Sequence, residues 1–150
     1  IVPDLINSWA QKKKLMLRRP QSVRPWQHVL EPINAYICLA VQLLKKNSKF
    51  HNQCFNVGPT MGNKKSVSQL LRLFSKKINF KAEIKKEKKK YESKLLILNS
   101  KKINKMMNWK SKLSFKQTVF LTADWYIQYY KNKEKIYQFS IDQIKKYFGI

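Results

Sequence analysis

The stretch RRPQSVRPWQHVLEP, residues 18–32, decides how the rest of the chain is interpreted. It places three prolines among three arginines, a tryptophan and a histidine. Each proline fixes its own φ and biases the preceding residue toward extended geometry, so Pro20 and Pro25 are predicted to bracket a turn. A second short extended piece is expected at residues 26–30. A long helix is expected to follow over about residues 32–46, with its apolar residues on one stripe.

Helical and extended patterns alternate on both sides of this stretch. The spacing of apolar residues and the positions of Gly and Pro predict a helix at residues 3–11, strands at residues 14–19, 53–59 and 93–99, and a short helix at residues 100–107. Three Ser-x-x-Gln capping boxes, beginning at Ser66, Ser114 and Ser140, predict helices at about residues 66–78, 115–131 and 140–148. The fold class predicted is α/β, with short strands covered by helices in one unit spanning residues 1–150.

The chain is strongly basic, with a formal net charge of +24 over 150 residues. A balance of this size favours a polyanionic partner, so a lysine-rich nucleic-acid-binding module is one alternative. However, 28 of the 32 basic residues are lysines scattered over every segment, and only KKEKKK at residues 85–90 forms a run. Abundant lysine, asparagine and isoleucine are typical of an AT-rich genome. We therefore attribute the charge to composition and expect no nucleic acid as a partner.

The apolar content excludes a disordered tail, because 43% of the residues are hydrophobic and 13% are aromatic. The longest near-apolar stretch, residues 36–44, is too short to span a bilayer, and residues 1–10 do not resemble a signal peptide. We expect a cytoplasmic protein without a membrane partner, preceded by an N-terminal portion because residues 1–10 resemble the middle of a protein. Cys38 and Cys54 are predicted to be buried thiols, not disulfide partners or metal ligands.

Several kinds of catalytic chemistry are missing from this sequence. Dinucleotide binding by a Rossmann fold needs a glycine-rich turn, and the three glycines, Gly58, Gly62 and Gly149, form no such motif. One Tyr-x-x-x-Lys pair, Tyr129 and Lys133, is the number expected by chance in a chain this rich in lysine. No nucleophile–base set, carboxylate pair or metal cluster stands out. We therefore assign no catalytic, cofactor-binding or metal-binding residue to this chain.

Two residues are candidates for binding an anionic ligand. Arg24 precedes Pro25 and Trp26 in a stiff segment, and a guanidinium fork binds phosphate oxygens in a bidentate way. Asn56 precedes a Gly-Pro turn, where its amide can donate to a ligand oxygen or simply cap the turn. Each residue taken alone is explained equally well by a structural role.

The segment at residues 1–43 closely resembles the C-terminal half of the CDP-glucose 4,6-dehydratase family, within the extended short-chain dehydrogenases/reductases. The resemblance includes RPWQHVLEP at residues 24–32 and CFNVGP at residues 54–59, and it extends over nearly the whole chain. Where the family has a glycine, this chain has Asn108, which tolerates left-handed backbone better than most residues. The family's His-Glu-Ala is replaced by Tyr91, Glu92 and Ser93.

The resemblance implies an enzyme that binds CDP-glucose between an N-terminal Rossmann domain and a smaller C-terminal part. NAD, bound by the N-terminal half, accepts a hydride from C4 of the sugar, water is lost across C5 and C6, and the hydride returns to C6, so that the product is CDP-4-keto-6-deoxyglucose. This chain would be the substrate-holding part, with the Rossmann half missing and one apolar face left bare for it. The resemblance also implies a homo-oligomer for the full-length enzyme, although its contacts usually lie in the other half.

Roles for individual residues follow from the resemblance alone. Arg24 would bind the diphosphate with Asn56 beside it. The strand that includes Leu17 and Arg18 would flank the cytosine. His28 matches the family motif either as a structural hydrogen-bonding residue or as a pocket residue. The segment with Tyr91, Glu92 and Lys94 would close over the nucleotide. A related nucleotide-sugar epimerase or dehydratase with another substrate is the second alternative.

Overall fold

A computed structural model of the chain describes residues 1–59, 61–85 and 93–150. The elements follow one another in the order α1, β1, β2, α2, β3, α3, β4, α4, α5, α6. Their bounds are α1 Val2–Ala10, β1 Lys14–Leu17, β2 Val23–Pro25, α2 Leu30–Leu43, β3 Lys64–Ser66, α3 Val67–Phe74, β4 Lys81–Ile84, α4 Lys101–Met107, α5 Phe115–Lys131 and α6 Ile136–Phe148. The predicted α/β class with short strands and covering helices is confirmed.

Two small sheets organise the described strands. Strand β1 pairs with β4 in parallel, with Leu15 opposite Ala82. Strand β2 pairs with β3 in antiparallel fashion, with Arg24 opposite Lys65. A single parallel bridge joins Val23 to Leu95 on the other side of β2. Strand β2 is therefore flanked by a neighbour on each side, which fixes the backbone around Arg24.

The main hydrophobic core lies where α1, α3 and α5 pack around β1. Residues of β1 alternate between buried and exposed, as expected for a strand with one face on a core. The buried residues of this main core are Leu5, Ile6, Leu15, Leu17, Leu70, Leu71, Phe74, Ile78, Val119 and Ala123. A second, smaller cluster contains Ala35, Ile103 and Trp109.

Two of the three predicted capping boxes are confirmed. The Ser66 and Ser114 hydroxyls accept from the backbone N–H of Gln69 and Gln117, and both glutamine side chains bond back to the cap residue. The third prediction is wrong, because Ser140 lies inside α6, which begins at Ile136. The Ser140 hydroxyl donates to the Ile136 carbonyl at 2.7 Å, four residues back along the helix.

Two of the predicted extended segments are not extended strands in the structure. Residues 53–59 contain no strand, since they form no ladder within the described chain, and Cys54 is exposed instead of buried. The predicted extended piece at residues 26–30 is also wrong, because the strand lies earlier, at Val23–Pro25, and the helix already begins at Leu30. Of the strand predicted at residues 93–99, one bridge is formed.

The end of α4 confirms the expectation for Asn108. This residue caps the helix in the left-handed region, with φ 53° and ψ 24°. Asparagine reaches that region at lower cost than most residues with a Cβ, so it can stand in a position that favours glycine. Across the described ranges, none of the helices combines the length and apolar character needed to cross a bilayer.

Candidate functional site

The candidate site is built around strand β2, where distant segments of the chain meet. The backbone N–H of Val23 donates to the Lys94 carbonyl at 2.8 Å, and that of Leu96 donates to the Val23 carbonyl at 3.2 Å. These bonds hold residues 93–96 beside the strand that carries Arg24. The segment that the resemblance implies to close over the nucleotide therefore ends beside Arg24, the residue predicted to bind the diphosphate.

The Arg24 side chain is held against the main chain. Its Nη1 donates to the carbonyls of Val23 at 2.9 Å and Ser93 at 3.0 Å. Directly after this strand, the indole N–H of Trp26 donates to the Lys65 carbonyl at 2.7 Å. The rigidity expected from the neighbouring prolines is therefore reinforced by hydrogen bonds on both sides of Pro25. Arg24 is half-buried, and these bonds fix the position of its guanidinium.

Asn56 is exposed and lies in a segment that passes close to the same region. The carbonyl of Val57 accepts from the Gln27 side chain at 3.2 Å, and that of Gly58 accepts from the Ser100 hydroxyl at 3.4 Å. A Cβ at Gly58 would meet Leu98 Cβ at 2.8 Å, so only glycine allows the chains to approach this closely. These contacts place the Asn56 segment beside residues that follow Arg24 and beside residues 98–100.

The other predicted contact residues occupy different environments. Leu17 is 7% exposed and its side chain belongs to the main core, while its carbonyl accepts from Lys85 N at 2.7 Å. Arg18 and Lys94 are exposed. Tyr91 and Glu92 lie outside the described residues. Nucleotide contacts by all these residues stay predictions, and Leu17 can contribute through its backbone more readily than through its buried side chain.

His28 is buried at the start of α2. Its Nδ1 accepts from the Leu30 backbone N–H at 3.3 Å. Burial lowers the pKa of His28 below its ordinary value of 6.5, and the nearby negative charge of Glu31 opposes that change. The imidazole is therefore neutral at pH 7, with the proton assigned to Nε2 because Nδ1 is an acceptor.

Glu31 is a buried polar residue that the sequence analysis did not single out. The residue is completely buried, and its carboxylate accepts from the backbone N–H groups of Lys112 and Leu113 and from the Tyr147 hydroxyl at 2.9 Å. Burial, the hydrogen bond and the charge of Glu31 together raise the pKa of Tyr147. The carboxylate thus ties the first turn of α2 to the loop before α5 and to the end of α6. The acidic residue inside the apolar segment WQHVLEP was the available signal.

A cavity of about 590 Å³ lies between the start of α1, residues 26–33 and the helices α3, α5 and α6. Its wall is mainly apolar and includes the rings of Trp26, Trp125 and Tyr126. His28 is a wall residue of this cavity, and its role toward a nucleotide sugar stays a prediction. Sequence patterns gave no warning of the cavity, because its residues come from five separate segments.

Helix α2 exposes a broad apolar face. The exposed fractions are 61% for Tyr36, 51% for Ile37, 53% for Val41 and 87% for Leu44. Contiguous exposed apolar surface of this kind marks an interaction site in soluble proteins. An apolar face of α2 is thus exposed in the described structure, and its occupant stays a prediction.

Among the described residues, no group of three or more His, Cys, Asp or Glu is placed to hold a metal ion. The Tyr129–Lys133 pair forms a cation–π contact, with the Lys133 ammonium 5.0 Å from the ring centroid, and Tyr129 also stacks on Trp125. This arrangement explains the pair as surface packing at the end of α5.

The comparisons with known proteins agree on one group of enzymes. The chain is 26% identical over 140 residues to a CDP-glucose 4,6-dehydratase from Salmonella typhimurium, covering 91% of this chain and 38% of that protein. The chain therefore spans less than half the length of this relative. No family model matches the chain.

Solved structures extend the comparison to the fold. A dTDP-glucose 4,6-dehydratase from Bacillus anthracis in complex with NAD gives a TM-score of 0.65 at 23% identity, covering 89% of this chain and 40% of that one. A UDP-glucuronic acid 4-epimerase from Bacillus cereus, in complex with UDP-glucuronic acid and NAD, gives 0.64 at 16% identity, covering 83% and 38%. The predicted resemblance is confirmed: this chain is similar in sequence to CDP-glucose 4,6-dehydratase and has the fold of the C-terminal part of the extended short-chain dehydrogenases/reductases.

Proposed function

We propose that this chain is the nucleotide-sugar-holding part of an NAD-dependent CDP-glucose 4,6-dehydratase, a lyase that forms CDP-4-keto-6-deoxyglucose. The observation that carries the proposal is the similarity over 140 residues to such an enzyme, which includes the Arg24–Pro25–Trp26 segment. Holding the remote nucleotide serves catalysis because it fixes the sugar against the reacting groups.

Arg24 is the proposed diphosphate ligand. Its guanidinium is a planar set of N–H donors that matches phosphate oxygens, and its position is preset by the bonds to the carbonyls of Val23 and Ser93. A preset side chain loses less conformational entropy when a ligand binds. Asn56 is proposed to donate its amide to the same diphosphate from the neighbouring segment.

The nucleoside is proposed to lie at the C-terminal end of β1, which is the end at Leu17. Leu17 and Arg18 would flank the cytosine, with Leu17 contributing backbone groups. Tyr91, Glu92 and Lys94 would close over the nucleotide, and the bond between Val23 N and Lys94 O supports this placement because it holds the end of that segment beside β2.

The residues of this chain do not fit NAD, since none of its glycines forms a dinucleotide-binding turn. We therefore assign the cofactor and the proton-transfer groups to an N-terminal portion and derive no catalytic step here. The exposed apolar face of α2, centred on Ile37 and Val41, is proposed to pack against that portion. Any homo-oligomer would form in the full-length enzyme.

Calorimetric titration of the 150-residue chain with CDP-glucose, UDP-glucose and dTDP-glucose tests the proposal. We expect weak binding with CDP-glucose preferred, no turnover, and a loss of about tenfold in affinity for Arg24→Lys because the bidentate fork is removed. Arg72→Lys is the matched control, since Arg72 is an exposed arginine on α3. Unchanged binding by Arg24→Lys would contradict the assigned role.

The nucleotide preference also distinguishes the second candidate, a related enzyme acting on another nucleotide sugar. The near-equal TM-scores of 0.65 and 0.64 to a dTDP-glucose dehydratase and a UDP-glucuronic acid epimerase favour keeping this candidate. Preference for UDP- or dTDP-glucose would select it. Tight binding of DNA or RNA whose logarithm falls steeply with the logarithm of salt concentration would instead select the nucleic-acid-binding alternative.

A further inference from the structure

The cavity between the start of α1, residues 26–33 and helices α3, α5 and α6 has the size of a small-molecule site. Its volume of about 590 Å³ lies within the range of roughly 300–1,000 Å³ that is usual for ligand pockets. Of the residues proposed to contact the nucleotide sugar, only His28 is part of its wall. The cavity is therefore a candidate site in addition to the one built around Arg24.

The wall contains a histidine N–H with no described partner. His28 is 7% exposed, and its Nδ1 is occupied as the acceptor for Leu30 N. In the neutral imidazole the remaining nitrogen, Nε2, carries the proton. No hydrogen bond from that N–H is formed within the described ranges of the chain.

The wall also contains an amide oxygen that can accept a hydrogen bond. Gln143 is 8% exposed, and its Nε2 donates to the Leu121 carbonyl at 2.9 Å, which orients the amide. Its Oε1 accepts no hydrogen bond from the part of the chain that the structure describes. By contrast, the Ser140 hydroxyl on the same wall is used twice, donating to Ile136 O and accepting from Trp125 Nε1.

The rest of the wall selects against charge. None of the residues that line the cavity is an Asp, Glu, Lys or Arg, and His28 is neutral at pH 7 because burial lowers its pKa. An ion placed here would lose its hydration without meeting a counter-ion, which is strongly unfavourable. The rings of Trp26, Trp125 and Tyr126 instead offer apolar surface suited to a flat aromatic molecule.

We propose that this cavity binds an uncharged aromatic molecule that carries both a hydrogen-bond acceptor and a donor, as a carboxamide does. The acceptor takes the Nε2–H of His28, the donor bonds Oε1 of Gln143, and the aromatic part packs among Trp26, Trp125 and Tyr126. A nucleotide does not fit this description, because its phosphates are charged. The inference is therefore independent of the proposed function, and either one can fail while the other stands.

Three probes of the same shape test the chemistry on the 150-residue chain: 2-naphthamide, 2-naphthoate and naphthalene. The affinity is measured by calorimetry, and the location by the NMR signals of the tryptophan indole N–H groups. We expect 2-naphthamide to bind saturably and to shift the signals of Trp26 and Trp125, leaving that of Trp9, which is not a wall residue, in place. Naphthalene should bind about tenfold more weakly or worse, and 2-naphthoate should not compete.

Variants on α6 separate the contribution of the Gln143 acceptor from that of the apolar volume of the cavity. Gln143→Leu removes the acceptor and should weaken 2-naphthamide by about tenfold while leaving naphthalene unchanged. Gln138→Leu is the matched control, because Gln138 is exposed on the same helix and bonds Asp142. Ile144→Trp fills the cavity from its wall and leaves both polar groups in place, so it should abolish binding of every probe.

The proposal is overturned if naphthalene or 2-naphthoate binds as tightly as 2-naphthamide, or if none of the probes shifts the signals of Trp26 and Trp125. It is equally overturned if binding survives in Ile144→Trp. Should Gln143→Leu lose its native circular dichroism spectrum, the comparison of the three probes with Ile144→Trp decides alone.

Discussion

Helices α2 and α3 differ in which residues they bury and which they expose to solvent. Helix α3 buries Leu70, Leu71 and Phe74 and exposes Arg72, as an amphipathic helix on a core does. Helix α2 buries two polar residues, Glu31 and Asn34, beside the apolar Leu30 and Ala35. It exposes Tyr36, Ile37 and Val41, and Leu44 at its C-cap is exposed as well. The difference shows that α3 draws its stability from this chain's main core. Helix α2 is held near its start by polar bonds together with two buried apolar residues, and it presents apolar surface outward.

The largest expected effect comes from the buried face of α3. Phe74 is completely buried, so Phe74→Ala should lower the free energy of unfolding by about 3–5 kcal/mol through lost burial and a residual cavity. Ile37→Ala on α2 is the control and should change it by less than about 0.5 kcal/mol, because Ile37 is half exposed. Urea unfolding followed by circular dichroism measures both. Similar losses for the two variants would abolish the contrast between the helices.

The next effect concerns the polar attachment of α2. Glu31→Leu leaves the N–H groups of Lys112 and Leu113 and the Tyr147 hydroxyl without their acceptor, so we expect a loss of about 3 kcal/mol. Glu31→Gln keeps one acceptor oxygen and should lose less. The control is Glu83→Gln, which breaks an exposed ion pair with Lys14 and should lose less than about 1 kcal/mol. A Glu31→Leu variant as stable as the wild type would show that α2 is held by other contacts.

A smaller effect is expected at the beginning of α3. Ser66→Ala removes a side chain that caps this helix, and it should lower the free energy of unfolding by about 1 kcal/mol. Helix α2 has Val29 at the corresponding position and no side-chain cap, so Val29→Ala should have a smaller effect there. Thermal and urea unfolding of the two variants provide the measurement. Equal effects at the two helix starts would mean that the capping box contributes nothing specific.

The smallest effect is a pH dependence at the start of α2, because burial and Glu31 act on His28 in opposite directions. The pKa of His28 is lower in the folded chain than its ordinary value of 6.5, so the unfolded chain takes up the proton first as the pH falls. Folding stability should therefore decline as the pH drops through about 6.5 and stop declining below the folded pKa. The decline should be reduced in His28→Gln and retained in His51→Gln, where an exposed histidine is replaced. A decline unaffected by His28→Gln would assign it to other groups.

Local sequence signals predicted the helices well. Most errors concerned strands, because a strand also needs a partner strand that local sequence does not specify. The boxes at Ser66 and Ser114 located α3 and α5 because the cap residue, the glutamine and the apolar stripe all lie within one turn or two of each other. The same motif at Ser140 failed because Ile136 begins that helix four residues earlier, and a serine inside a helix can bond back to it. The segment at residues 53–59 has a strand composition but no partner in the described chain.

In the candidate site, too, local features were predictable from the sequence and long-range contacts were not. Proline placement around Arg24 predicted a stiff backbone, which β3 and residues 93–96 reinforce. The role of Glu31 could not be predicted, since its partners lie 81 to 116 residues away along the chain. The roles of Arg24 and Asn56 toward a nucleotide sugar stay predictions, and their segments are brought together by residues 98–100 and Gln27.

The sequence by itself determined the helix starts, the rigidity around Pro25 and the resemblance to a nucleotide-sugar dehydratase, because these depend on residue types at short, fixed spacings. Tertiary structure alone decided that Glu31 is buried with three donors, that α2 exposes its apolar face, and that His28 and Gln143 share a cavity wall. Burial and hydrogen-bond satisfaction depend on which distant segments pack together, and no local pattern encodes that choice.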